Sequence, residues 1–354
     1  MDTWLLVRFV AGLVLLVAGA EALVRGASRL AALFGLSRLV IGLTIVAAGT
    51  SSPEMAVSIG AALSGQADIA VGNVVGSNIF NVLFILGICA LILPLRVSSQ
   101  LVRTDVPVMI GVSLLVLVLC ADGRIGRFDG VLLLAGMIAY FWYSVAEGRR
   151  TAVDEPAAAG EGGGIAPQIL WIALGLALLV LGARWLVEGA VSMARLMGVS
   201  ELVVGLTIVA AGTSLPEVAT SVVASLRGER DIAVGNVVGS NIFNILGILG
   251  LSALVSSDGL AVAPSLASFD TPVMVAVALA CLPIFFTGHL ISRAEGGLFL
   301  GYYVAYTLYL VLAASQHDAL PLYSAVMMAF TVPLTIVTLV VVAVRAGRPP
   351  TATP

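Results

Sequence analysis

Two carboxylates stand where hydrocarbon is expected. Glu54 closes the run Gly42-Leu-Thr-Ile-Val-Ala-Ala-Gly-Thr-Ser-Ser-Pro-Glu54, and Glu217 closes Gly205-Leu-Thr-Ile-Val-Ala-Ala-Gly-Thr-Ser-Leu-Pro-Glu217. Each copy leads into one block, Asp-Ile-Ala-Val-Gly-Asn-Val-Val-Gly-Ser-Asn-Ile-Phe-Asn, at Asp68–Asn81 and again at Asp231–Asn244. Both copies sit inside long apolar stretches. An ionisable side chain at a bilayer centre costs about 2.5–3.5 kcal/mol on insertion scales. A chain that carries this cost twice, among the same hydroxyls and amides, is building an ion site.

The residue types define the chemistry. Pro53 and Pro216 lack a backbone donor and clash with the preceding turn, so each helix breaks there. The break frees carbonyls such as those of Ala47 and Thr50, which in a membrane need protein, water or an ion. Ser51 or Ser52 is placed to cap the half-helix that follows, with Pro53 in its first turn. Thr50 and Glu54 are four apart and share a face where the turn is helical. Carboxylate, hydroxyl and carbonyl oxygen are hard ligands, suited to Na⁺, Ca²⁺ or Mg²⁺. Thr213, Ser214, Pro216 and Glu217 repeat the set. One Thr-Ser-Pro could be a simple kink; two, each followed by an intramembrane Glu, point to ligation.

The second block places Asn73, Ser77 and Asn81 on one helix face, and Asn236, Ser240 and Asn244 likewise. Ser77, Asn81, Ser240 and Asn244 are read as ion ligands, because the repeat sets them near the Glu segments. Asn73 and Asn236 are open to ligation or to bonding across helices. Gly72 with Gly76, and Gly235 with Gly239, allow close helix approach. Asp68 and Asp231 begin helices and complement their dipoles. Glu21 with Arg25, and Arg184 with Glu188, are spaced for local salt bridges.

These motifs need a membrane scaffold. Hydrophobic residues make up 60% of the chain and charged residues 10%, far from the roughly 25% charge of soluble domains. All 17 basic residues are Arg. Cys89, Cys120 and Cys281 follow no metal or disulfide spacing. The first apolar segment lacks a basic leader and a cleavage site, and is read as a retained helix. Spans of about 20 apolar residues are expected at 4–24, 38–64, 69–93, 106–121, 129–147, 167–188, 201–226, 232–255, 271–287, 296–314 and 321–344.

The repeat extends beyond the motifs. Gly12, Gly19, Gly26 and Gly35 match Gly175, Gly182, Gly189 and Gly198, and Asp105-Val-Pro-Val-Met matches Asp270-Thr-Pro-Val-Met, with Tyr140 matching Tyr306. The organisation predicted is a five-helix unit over 1–147 (motif 42–87), a polar linker over 148–166, and a second unit over 167–314 (motif 205–250). An extra helix and tail fill 315–354. Five is odd, so the second unit enters the membrane upside down: an all-α polytopic membrane protein of two inverted five-helix repeats plus an eleventh transmembrane helix. Arginine placement favours an outer N-terminus and an inner C-terminus.

The paired motifs Gly-Thr-Ser-x-Pro-Glu and Gly-Asn-x-x-Gly-Ser-Asn-Ile-Phe-Asn resemble the alpha repeats of the cation/calcium exchanger superfamily, most closely its prokaryotic sodium/calcium exchanger branch. The resemblance spans nearly all of residues 1–314. It implies ten core helices with ion sites between the second, third, seventh and eighth. It implies that Glu54 and Glu217 ligate Ca²⁺ with the Thr50 and Thr213 backbone. Sodium would use Ala47, Thr50, Ser51 and Ser77 in one half, and Ala210, Thr213, Ser214 and Ser240 in the other. Asn81 and Asn244 would lie between. Potassium-dependent relatives carry Asp where this chain has Asn244, which argues against a K⁺ requirement.

The function expected is a secondary active antiporter exchanging Na⁺ for Ca²⁺ by alternating access, in a prokaryotic cytoplasmic membrane. A proton/calcium exchanger, or one for another divalent cation, is the alternative. A channel fits an inverted repeat with a midplane charge less well. The motifs hold no His, Cys or Lys, so an enzyme is not expected, nor an organic cofactor, nor nucleic acid. Membrane lipid is the only other partner implied, and the sequence does not determine oligomeric state.

Overall fold

In hydrocarbon, apolar segments of this length satisfy their backbone polar groups by forming helices. The computed structural model describes residues 3–151, 164–286, 288–333, 336 and 340. Among them, eight helices are long and apolar enough to cross a membrane, or nine if one bent pair is a single span. The protein is an all-helical polytopic membrane protein.

The first half runs α1 (Thr3–Phe34), the bent pair α2 (Arg38–Thr50) and α3 (Ser52–Leu63), α4 (Ala67–Ile92), α5 (Leu101–Asp122) and α6 (Arg127–Arg150). The second runs α7 (Ile165–Leu196), α8 (residues 201–212), α9 (Leu215–Leu226), α10 (Arg230–Val255), α11 (Leu266–Phe286) and α12 (Arg293–Ala314). A shorter apolar helix follows, α13 (Leu320–Ala329). Much of the expected 321–344 span, and most of the 148–166 linker, lies outside the described residues.

Helix ends differ from expectation in one systematic way. α1 continues past residue 24 to Phe34, and α7 past 188 to Leu196, so Arg25, Arg29 and Arg195 stand on helices rather than in loops. Each helix stops at a left-handed glycine, Gly35 (φ 59) and Gly198 (φ 78). Beyond these, Leu36 N–H donates to Ala31 O and Val199 N–H to Ala194 O, the double-bonded stop that glycine permits.

The spacing of the matched glycines is explained by a seam between α1 and α7, which run antiparallel. A Cβ on Gly12 would lie 2.7 Å from the Leu186 backbone nitrogen, and one on Gly175 2.6 Å from that of Leu23. Gly19 faces Gly175, and Gly182 faces Gly12. Backbones this close leave no room for side chains. Glu21 pairs with Arg25 at 3.7 Å and also with Arg227, while Glu188 takes Arg8 of α1 at 3.6 Å. The expected Arg184–Glu188 pair is thus replaced by one across the seam, because the antiparallel partner brings Arg8 within reach.

Two short antiparallel ladders tie the halves together. β1 (Leu95–Arg96) pairs with β4 (Leu290–Ile291), and β2 (Arg124–Ile125) with β3 (Leu260–Ala261).

The halves are not packed alike. Gly42–Val46 lies against α10, where a Cβ on Gly239 would come 2.5 Å from Leu43 O and one on Gly235 3.0 Å from Leu39 O. Their counterparts Gly72 and Gly76 meet no such backbone, and a Cβ on Gly76 has nothing within 4 Å. Val46 is 0% exposed and Val209 49%. The close approach offered by these paired glycines is therefore realised at Gly235 and Gly239 and not at Gly72 and Gly76. At the packed end Arg38 of α2 donates to Glu229 at 2.7 Å.

Replacing Gly175 by Leu should lower the melting temperature of the purified protein markedly, since overpacking against backbone costs about 1–3 kcal/mol or more. Gly60→Ala, which meets nothing within 4 Å, should leave it unchanged. Equal melting temperatures for the two variants would contradict the seam.

Candidate ion-binding site

The site forms where the two broken helices and α4 and α10 meet. The proline break is present: α2 and α3 are bent by 48°, with Ser51 between them at φ −78, ψ 10. In the second half Ser214 occupies the same position at φ −88, ψ 8, and Pro216 lies in the first turn of α9. Widened, π-type turns precede each break, at Gly42–Val46 and Gly205–Val209, and also begin at Asn81 and Asn244. Such turns loosen the backbone ladder and recur at functional sites.

The serines do not cap. Neither Ser51 nor Ser214 makes a side-chain bond to its own following helix, contrary to the expectation from the motif. Ser51 Oγ instead donates to Glu217 Oε1 at 2.9 Å, and Ser214 Oγ to Glu54 Oε1 at 2.7 Å. A buried carboxylate is the stronger acceptor, and a charge-assisted bond outcompetes a neutral cap. Each carboxylate is thus held by the serine of the opposite half. Ser214 Oγ is also 3.4 Å from Ser77 Oγ.

Ser77 joins the carboxylates through Ser214, and most of the other ligand candidates are buried in the same helices. Glu54, Glu217, Thr50, Ser77, Ser240, Asn81 and Asn244 are all buried. Ala47 is buried, whereas Ala210 is exposed and Thr213 half-buried, following the looser packing of α8. The Thr50 hydroxyl lies 3.1 Å from Val46 O, 3.3 Å from Ala47 O and 3.1 Å from Asn236 Oδ1. It has one hydrogen for three acceptors. Glu54 Oε2, Glu217 Oε2, Asn81 Oδ1, Asn244 Oδ1, Thr213 Oγ1 and Ser240 Oγ are buried without a hydrogen-bond partner. An oxygen-rich, donor-poor centre of this kind suits a hard cation.

No ion pair to Glu54 or Glu217 occurs among the described residues. Nor, among those residues, do three His, Cys, Asp or Glu side chains cluster as a conventional metal site. The centre therefore carries two carboxylates surrounded by neutral oxygens.

Asn73 and Asn236 support the carboxylate-bearing segments from behind. Asn73 Nδ2 donates to Glu54 O at 3.2 Å and Ser58 Oγ at 2.9 Å; Asn236 Nδ2 donates to Glu217 O at 3.5 Å and Ser221 Oγ at 3.0 Å. This is bonding between helices. Sequence reasoning passed over Asn78 and Asn241, which are buried and bond across the two halves. Their signal was their presence in both copies of Gly-Ser-Asn, masked by neighbours at cleaner helical spacing. A cavity of about 510 Å³ lies elsewhere, between α11, α12 and α13, and apolar and aromatic side chains line it. It has no part in this centre.

The chain belongs to the sodium/calcium exchanger protein family, which matches it over residues 4–146 and 167–312. It is 36% identical over 334 residues to the sodium/calcium exchanger MaX1 of Methanosarcina acetivorans, covering 83% of this chain and 95% of that protein. It is 39% identical over 255 residues to the inner membrane protein YrbG of Escherichia coli, covering 70% and 78%. Its fold is similar to that of the sodium-calcium exchanger NCX_Mj soaked with 2.5 mM Na⁺ and 0.1 mM Ca²⁺, with a TM-score of 0.74, 32% identity, and coverage of 89% of this chain and 99% of that one. The resemblance read from the motifs therefore holds at the level of the family.

Ser214→Ala should weaken Ca²⁺ binding to the purified protein by about tenfold or more, as a hydrogen bond to a charged group contributes about 1.5–3 kcal/mol. Isothermal titration calorimetry reads this directly. Unchanged affinity would remove the serine crossing from the site.

Proposed function

We propose that this chain is a secondary active antiporter that exchanges Na⁺ for Ca²⁺ by alternating access, with Glu54 and Glu217 as the shared cation ligands. One observation carries the reading: two buried carboxylates from equivalent motifs, bonded only to neutral groups, with a free oxygen each. Two carboxylates give about −2, which matches one Ca²⁺. The hydroxyls and carbonyl oxygens around them offer lower-charge positions for Na⁺. Ala47, Thr50, Ser51 and Ser77 would serve one side, and Ala210, Thr213, Ser214 and Ser240 the other, with Asn81 and Asn244 between. Asn244 adds no charge, so K⁺ has no dedicated carboxylate.

The architecture proposed is two inverted five-helix repeats over 1–147 and 167–314. The antiparallel α1–α7 seam supports it, since a repeat turned over about an in-plane axis sets equivalent helices in opposite directions, and so do the ladders, because exchanging the halves turns the β1–β4 pair into the β2–β3 pair. With the N-terminus outside, Arg38, Glu229, Arg227 and Glu21 fall together on the inner face, and β2 and β3 together on the outer.

The unequal packing supports alternating access. The inner side is sealed where Gly42–Val46 meets Gly235 and Gly239, and by the Arg38–Glu229 pair. The equivalent outer surfaces, Gly205–Val209 and Gly72–Gly76, are parted. Exchanging these two packings would close the outer path and open the inner one.

Glu54→Gln or Glu217→Gln should still insert but reduce Na⁺-driven Ca²⁺ uptake in proteoliposomes by at least about a hundredfold, given about 3–5 kcal/mol for losing one member of a buried charge pair. Wild-type rates in either variant would sink the assignment. Replacing K⁺ by choline should leave wild-type exchange unchanged, whereas uptake driven by a pH gradient without Na⁺ would favour proton coupling instead. Gly76→Ala should fold normally, because nothing opposes its Cβ here. It should slow exchange roughly tenfold, because the alternate packing would be disfavoured by about 1–3 kcal/mol. Full exchange by Gly76→Ala would argue against the swap of packings.

A further inference from the structure

Asn81 and Asn244 each present an amide, and an amide has two faces. Turned one way it offers a cation its oxygen; turned the other way it offers two N–H groups that repel the cation. Both Oδ1 atoms are buried and unpartnered, as cation ligands should be before binding. Their N–H₂ groups are held from behind. Asn81 Nδ2 donates to Asn241 Oδ1 at 3.0 Å, and Asn244 Nδ2 donates to Asn78 Oδ1 at 3.1 Å.

The orientation of Asn78 and Asn241 is itself set by groups that only accept. Asn241 Nδ2 donates to the backbone carbonyl of Asn78 at 3.3 Å and to Met109 Sδ at 3.5 Å. Asn78 Nδ2 donates to the backbone carbonyl of Asn241 at 3.2 Å and to Met274 Sδ at 3.6 Å. A backbone carbonyl has no hydrogen to give, so neither amide can turn without losing a bond and facing oxygen with oxygen. The two methionines close the repeated Asp-x-Pro-Val-Met segments, which no part of the ion centre otherwise uses.

We propose that Asn78 and Asn241 are positioning residues that lock the Asn244 and Asn81 amides with their oxygens toward the transported cation. The chain of restraint runs from backbone carbonyl, to Asn241, to Asn81, and equivalently through Asn78 to Asn244. Because each lock crosses between halves, neither half can orient its own amide ligand alone. The proposal rests on the exchanger reading above for the identity of the cation.

The test exploits a ligand that needs no orientation. A carboxylate has two equivalent oxygens, so Asn81→Asp presents oxygen whichever way it turns. Ca²⁺ affinity is measured by calorimetry on the full-length purified protein, and the maximal rate and KM for Ca²⁺ in proteoliposomes. Asn241→Leu should raise the Ca²⁺ dissociation constant and KM about tenfold or more, with the maximal rate changed less than about threefold. In the Asn81→Asp background the same substitution should cost less than about threefold. Asn241→Ser, too short to reach Asn81 but small enough to pack, should reproduce the Leu result and stands in if that variant fails to fold. Equal losses in the wild-type and Asn81→Asp backgrounds, or a loss of maximal rate with unchanged affinity, would make Asn241 a packing residue and overturn the proposal. Wild-type protein that binds Ca²⁺ without exchanging it would overturn the functional reading while leaving the lock readable from the binding ratios.

Discussion

Two carboxylates buried in a membrane protein without a basic partner are the constraint on which the rest of the structure turns. Burying one ion with no partner costs several kcal/mol even after relaxation. The protein offsets part of that cost with a hydroxyl donor to one oxygen of each carboxylate and leaves the other oxygen free. In the exchanger proposed, a basic side chain would stabilise the site further and abolish its use, because a permanent cation would occupy the place of a transported one. The centre is thus left short of neutrality, and in the exchanger proposed a mobile cation would complete it.

That balance dictates the helix breaks. A regular helix buries every carbonyl in its own ladder and has none to offer. The bend at Ser51, the turn at Ser214 and the π-type turns beside them release carbonyl oxygens from the regular ladder. The same breaks aim Ser51 and Ser214 across the molecular centre rather than along their own helices. Each half then contributes the donor that the other half's carboxylate requires, so the site exists only when both halves are assembled.

Glycine sets the second constraint. The α1–α7 seam and the α2–α10 contact both bring backbone to backbone at distances no side chain allows. Helix association in lipid gains little from the hydrophobic effect and relies on this close packing. Where the same glycines face open space, at Gly72 and Gly76, the repeat has the surface for an approach it does not make in this conformation. In the exchanger proposed, unequal packing of two halves built on the same motifs would let one site open to two sides in turn.

Much of this was legible in the sequence. The membrane class, the two motifs, the hard-oxygen chemistry and the helix breaks follow from residue type and spacing, because proline, glycine and intramembrane carboxylate act locally. The family likewise followed from the paired motifs. Three features were decided only by tertiary structure. Ser51 and Ser214 satisfy local capping rules on paper, yet choose a carboxylate that folding brings from 166 or 160 residues away. Glu188 could reach Arg184 within its own helix, yet an antiparallel neighbour offers Arg8. Asn78 and Asn241 were marked only by their presence in both copies of the repeat, since their partners lie across the two halves. Local rules determine where a chain bends and what it offers; which of several adequate partners a polar group takes depends on distances that exist only after the halves have met.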